Sequence, residues 1–98
     1  MNSSSYQLLG LAYRAKKILT GETAMEAVKN KEAKLVVYAS DASEKTKKRI
    51  LEKCRFYEID TIEVEDSVQI SSAIGKVNCV MVAITDSGFA KKFVSDLK

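Results

Sequence analysis

Two stretches of the chain, Leu35-Val36-Val37-Tyr38-Ala39 and Cys79-Val80-Met81-Val82-Ala83-Ile84, carry no charged or strongly polar side chain at any position. A strand with one wet face alternates apolar and polar residues. An unbroken run needs cover on both faces, because successive side chains point to opposite sides of a sheet. A chain of 98 residues that must bury two such strands has few options. A small sheet with helices on both faces is the simplest.

The remaining segments supply those helices. Tyr6, Leu9, Ala12 and Tyr13 recur at three-to-four spacing, which predicts a first helix capped by Ser4 or Ser5. Lys17 to Thr20 reads as a short strand ended by Gly21, and Glu22 to about Lys29 as a short helix. After the strand at 35–39, Asp41-Ala42-Ser43-Glu44 fits a capping box with Asp41 as the cap. The helix it opens runs to about Arg55, with Ile50, Leu51, Cys54 and Tyr57 on its apolar side and Lys47 close enough to that side to snorkel. Thr61 to Val64 is a short alternating strand. Ser67 to Gly75 is a helix with Gly75 at the left-handed cap position. Cys79 to Ile84 is the second buried strand, and Asp86 or Ser87 caps a last helix carrying Phe89, Phe93 and Leu97. The order is α-β-α-β-α-β-α-β-α, read as one domain over residues 1–98, without repeats or linkers.

Composition closes several functional classes. There is no histidine, and Cys54 and Cys79 have no CxxC spacing, so zinc sites and His-based catalysis lack their residues. The two cysteines read as small core residues. No signal peptide opens the chain and no apolar run approaches a membrane span, so a cytoplasmic protein is expected. Net charge is +3, unevenly spread. Residues 1–55 carry 12 Lys and Arg against 6 Asp and Glu, a balance of +6; residues 56–98 carry 4 against 7, a balance of −3. A basic first half suits a polyanionic partner.

Two places invite a chemical reading. Asp41 and Asp86 each follow a strand, a pattern that a metal-dependent phosphotransfer site also uses, although a carboxylate there is ordinarily a helix cap. Gly21 stands before a helix N-terminus, where free backbone N–H groups and the helix dipole favour an anion. Lys16, Lys17 and Lys29 flank it. One glycine is not a phosphate-binding loop, and on this evidence a plain turn is the better explanation.

The segments LLGLAYRAKKILTG (Leu8 to Gly21), KLVVYASDASEKTKKRI (Lys34 to Ile50), Lys53-Cys54-Arg55-Phe56-Tyr57, AIGK (Ala73 to Lys76) and AITDSGFAKK (Ala83 to Lys92) shift that balance. In this order the sequence resembles the YlxQ-like bacterial branch of the kink-turn RNA-binding large-subunit ribosomal protein family. The resemblance implies a three-layer α/β/α sandwich around a four-stranded mixed sheet. With the composition, it leads to the expectation of a non-catalytic, cytoplasmic protein with no cofactor or metal. Its partner would be structured RNA with a kink-turn, in ribosomal RNA or an mRNA, with ribosome association and no membrane. In the family, the helix after the glycine enters the RNA groove and a second loop covers a flipped-out nucleotide. Such distorted sites expose base edges that a regular A-form groove hides. The residues expected at RNA are Lys17, Thr20, Gly21, Glu22, Thr23 and Lys29 around the glycine, and Gly75, Lys76 and Asn78 in the covering loop.

The sequence departs from the family at the reading helix. The family pattern places Asn, Glu and Lys where this chain has Thr23, Ala24 and Ala27. A bidentate base contact is worth about 1–3 kcal/mol of discrimination in DNA complexes, so these changes bear on specificity more than on backbone binding. Together with the acidic second half they motivate an alternative: a protein-interaction module on the same fold that has lost base readout.

Overall fold

The computed structural model describes residues 3–97. Helix α1 (Ser3–Arg14) leads to strand β1 (Ile18–Thr20) and helix α2 (Gly21–Lys29). Strand β2 (Leu35–Ala39) and helix α3 (Glu44–Phe56) follow, then β3 (Thr61–Val64), α4 (Ser67–Ile74), β4 (Met81–Ile84) and α5 (Ser87–Leu97). The element order is the expected one. The strands lie in the order β1-β4-β2-β3, with β2 and β3 parallel and β4 antiparallel to both β1 and β2. The sheet is therefore mixed and four-stranded, as anticipated.

Alternation along β2 builds the two outer layers. Leu35, Val37 and Ala39 face α1, α4 and α5, where they pack with Leu9, Ile70 and Phe93. Val36 and Tyr38 face α2 and α3, where they meet Ala24, Val28, Ile50 and Cys54. Both cores are continuous across β4, since Val82 and Ile84 join the first and Met81 and Ala83 the second. The unbroken apolar runs thus mark the two central strands.

Glycine at position 10 sets the spacing of α1 and α4. A Cβ there would lie 2.8 Å from the Ala73 carbonyl oxygen, so the helices cross in direct backbone contact.

Local signals at helix ends give mixed results. Gly75 closes α4 with φ +71, and Asp86 caps α5 by accepting the Phe89 N–H at 2.9 Å, both as read from sequence. The first cap differs. Ser4 and Ser5 lie within α1, which already includes Ser3, and Ser5 is fully buried. Strand β4 starts at Met81 rather than Cys79, because the Cys79 backbone is bonded to the Ser71 side chain instead of a strand. Leu51 is 40% exposed, so Ile50 and Cys54 carry the apolar side of α3. Lys47 is half-buried and reaches Glu44 at 3.6 Å, in keeping with a snorkelling stem. The side chain of Leu97 lies outside the described residues.

The capping box at 41–44 is corrected. Ser43 is the N-cap of α3, accepting from the Thr46 N–H at 3.2 Å. Asp41 instead accepts from the Ser67 N–H at 3.0 Å and the Ser67 hydroxyl at 3.1 Å. The parallel register of Ala39 against Val64 explains this, since it brings the chain leaving β2 beside the start of α4. Topology also separates the two strand-end aspartates. β2 and β4 are antiparallel, so Asp41 and Asp86 stand at opposite ends of the sheet. A five-residue strand alone spans roughly 17 Å. They cannot share a metal ion.

Candidate nucleic-acid interface

The glycine turn and the loop after α4 meet at one end of the sheet. β1 runs up to Gly21 at the end where β4 begins, and Thr20 pairs with Val82. Thr20 and Gly21 line one side of an open cleft of about 240 Å³, and Lys76, Val77, Asn78 and Cys79 line the other. Residues more than fifty positions apart in sequence therefore form one surface.

Its first wall is the start of α2. Gly21 has φ +57, a conformation in which a side chain is strained. Thr20 occupies the N-cap position in extended conformation, but its side chain makes no capping hydrogen bond. The first-turn amides thus have no side-chain acceptor from the cap. Gly21, Glu22 and Thr23 are exposed, whereas Ala24 and Ala27 are buried against the sheet. The side chains that α2 offers outward at its first turns are Glu22, Thr23 and Glu26.

The second wall is held by a serine that the sequence reading passed over. Ser71, buried on α4, accepts the Cys79 N–H at 2.8 Å and donates to the Cys79 carbonyl at 3.3 Å. Gly75 and Asn78 both adopt left-handed conformations, at φ +71 and +56, which reverse the chain between those anchors. Val77 is left 85% exposed at the tip. Replacing Ser71 with alanine leaves the Cys79 N–H without its partner, a loss of about 1–3 kcal/mol. We expect faster amide exchange at residues 76–80 in Ser71→Ala, with β2 unchanged; uniform exchange rates would show that the serine does not hold this loop.

Electrostatics at the cleft differ from a simple count of lysines. Lys76 places its ammonium 5.9 Å from the Tyr13 ring centre, within cation–π range. Glu22 is paired with Arg49 of α3 through both carboxylate oxygens, at 3.4 and 3.5 Å. Both groups are largely exposed, so the pair adds at most about 1 kcal/mol to stability. Its consequence is positional: a guanidinium stands beside the start of α2 and offsets the Glu22 charge. No local pattern pointed to Arg49, which lies 27 residues from its partner.

Two expected residues lie elsewhere. Lys17 is at the opposite end of β1, where its carbonyl accepts from the Thr85 N–H. Lys29 is in the last turn of α2, roughly 12 Å along the axis from Gly21. Neither lines the cleft. Both cysteines are buried; burial pushes the Cys54 thiol up to about 11 and also raises Cys79, where a hydrogen bond with the Met81 backbone and nearby Lys76 partly oppose it. The thiols stay protonated at neutral pH and are poor nucleophiles. Among the described residues, no group of three or more His, Cys, Asp or Glu could hold a metal ion, and no helix is long and apolar enough to cross a membrane.

The sequence profile of the ribosomal protein L7Ae/L30e/S12e/Gadd45 family matches residues 3–94. The chain belongs to that family. Within it, the chain is 42% identical over 91 residues to a Bacillus subtilis protein named RNA-binding protein YlxQ, covering 92% of this chain and 91% of that one. A protein of the same name from Enterococcus faecium is 45% identical over 86 residues, with 87% and 82% covered. The YlxQ-like resemblance is borne out. A solved Bacillus halodurans structure, described as a protein with unknown function, superposes with a TM-score of 0.90 at 39% identity, over 96% of both chains. The Giardia lamblia 15.5kD RNA binding protein superposes at 0.77 with 16% identity, over 99% of this chain and 87% of that one; at that identity it shows a shared fold.

Proposed function

We propose that this protein is a non-catalytic binder of structured RNA with a kink-turn, acting in the cytoplasm in association with the ribosome. The observation that carries the reading is the cleft between Thr20-Gly21 and the 76–79 segment. It offers amides with no side-chain cap, a left-handed glycine turn and a loop fixed from behind by Ser71. Such a surface suits a bent RNA, whose phosphates approach the helix N-terminus while an unstacked base meets the loop. The two curated relatives, named as RNA-binding proteins, support it. Thr23 and the Glu22–Arg49 pair replace the family's reading side chains as candidates for base contact.

A protein-interaction module, motivated by the acidic second half and by the loss of Asn, Glu and Lys at 23, 24 and 27, has less support. Ala24 and Ala27 are buried, but Glu22 and Thr23 keep exposed hydrogen-bonding groups in the first turn of α2, next to Gly21 of the cleft. The test is a titration of a kink-turn RNA at two salt concentrations, beside the same RNA with its tandem G·A pairs replaced by Watson–Crick pairs. Tighter binding of the kinked RNA at both salts is expected. Equal binding of the two RNAs, or none at micromolar protein, overturns kink-turn recognition; partners captured regardless of ribonuclease would favour the protein module.

A further inference from the structure

The open edge of β1 continues the cleft. β1 pairs with β4 on one side, and among the described residues no strand lies on the other. A groove of about 480 Å³ runs along that edge, lined by Tyr13, Arg14, Lys16, Ile18 and Leu19. Ile18 belongs to the core facing α1 and Leu19 packs on the core facing α2, so a groove touching both lies over the strand edge itself. Leu19 is followed by Thr20, which lines the cleft. Lys76 joins the two from the other side, since it lines the cleft while its ammonium stands over the Tyr13 ring of the groove.

The two depressions thus form one path around β1, from the covering loop to the C-terminal end of α1. Arg14, Lys16 and Lys76 line it, and no Asp or Glu lines either part. The chain as a whole has 13 carboxylates against 16 cations, so an acid-free path is a local segregation of charge. We propose that this path is a second RNA-contacting surface, on which the phosphate backbone of one stem flanking the kink lies along the β1 edge. It rests on the RNA-binding reading above and adds a surface that reads no bases. Arg14 supplies a forked donor and Lys16 and Lys76 supply point charges. The edge is only three residues long and bordered by cations, which suits phosphates better than an added peptide strand.

The competing account is that Arg14 and Lys16 only protect an open strand edge from self-association. Lys16 has φ +62, so its test variant is Lys16→Asn, which tolerates that conformation; Arg14→Gln accompanies it. Binding of a fluorescent kink-turn RNA is followed by anisotropy over a range of salt, with long-stem and stem-truncated forms. The double variant should bind the long-stem RNA about tenfold more weakly, with a salt slope smaller by about 2. On the truncated RNA the parent and variant should converge. An unchanged slope and affinity in the variant overturns the proposal while leaving kink-turn binding intact, and so does new self-association without loss of RNA affinity. Failure of the parent chain to bind either RNA overturns both readings. The reversal Arg14→Glu with Lys16→Glu should weaken long-stem binding further than the neutral pair; equal affinities for the two variants count against a direct phosphate contact.

Discussion

Replacing Phe93 with alanine should lower the unfolding free energy by about 3–5 kcal/mol. Phe93 is fully buried and heads the described side chains that have essentially no solvent contact. It projects from α5 into the core shared by α1, α4 and the sheet, where Leu9, Ile70 and Val82 also sit. Leu9 and Ile70 sit on helices held by the close crossing of α1 and α4 at Gly10, and Val82 on a strand paired on both sides, so they cannot collapse fully into the space left behind. A protein of this size commonly has only about 5–15 kcal/mol of stability, so the loss is a large fraction of the total. Thermal denaturation checks it: the midpoint should fall by more than about 10 °C. A smaller change would mean that α5 repacks or contributes little to the folded state.

Substituting valine for Gly21 should separate binding from folding. A Cβ at this position meets no atom within 4 Å, so nothing resists the side chain itself. The obstacle is φ +57, which costs an ordinary L-residue about 1–2 kcal/mol and is especially unfavourable for a β-branched one. The variant should relieve that strain by turning φ negative, which would move the first-turn amides of α2 out of line with the cleft. The protein should stay folded, because Ala24, Met25 and Val28 still bury the helix, yet lose at least about tenfold in affinity for a kink-turn RNA. Gly21→Asn is the control, since asparagine tolerates the left-handed region, and it should recover most of the binding. Unchanged affinity in Gly21→Val would place RNA recognition away from this turn.

The helix-end signals show how far local sequence reaches. Gly75 and Asp86 act within four residues of themselves, and both were legible. Asp41 had an equally good local partner set, but the parallel register of β2 and β3 supplied a better one in Ser67. The cleft divides along the same line. Thr20, Gly21, Lys76 and Asn78 come together at the cleft and Gly75 ends the helix before it, while Lys17 and Lys29, which flank the glycine in sequence, do not reach it. Neither Ser71 nor Arg49 was expected at the site, because a buried serine on an apolar face and an arginine in a charged run each carry no local mark of a partner.

By itself the sequence determined the elements, the two central strands, the helix stop at Gly75 and the family. The first three follow from periodicity and backbone preference, which act over a few residues, and the family from the resemblance of whole segments in order. The tertiary structure decided which strands neighbour each other, that the turn at 20–21 faces the loop at 76–79, that Arg49 neutralises Glu22 and that Asp41 serves α4. The physical reason is that such contacts arise from packing two layers onto a twisted sheet. Their partners are chosen by register and chain crossing, which no short window of residues contains.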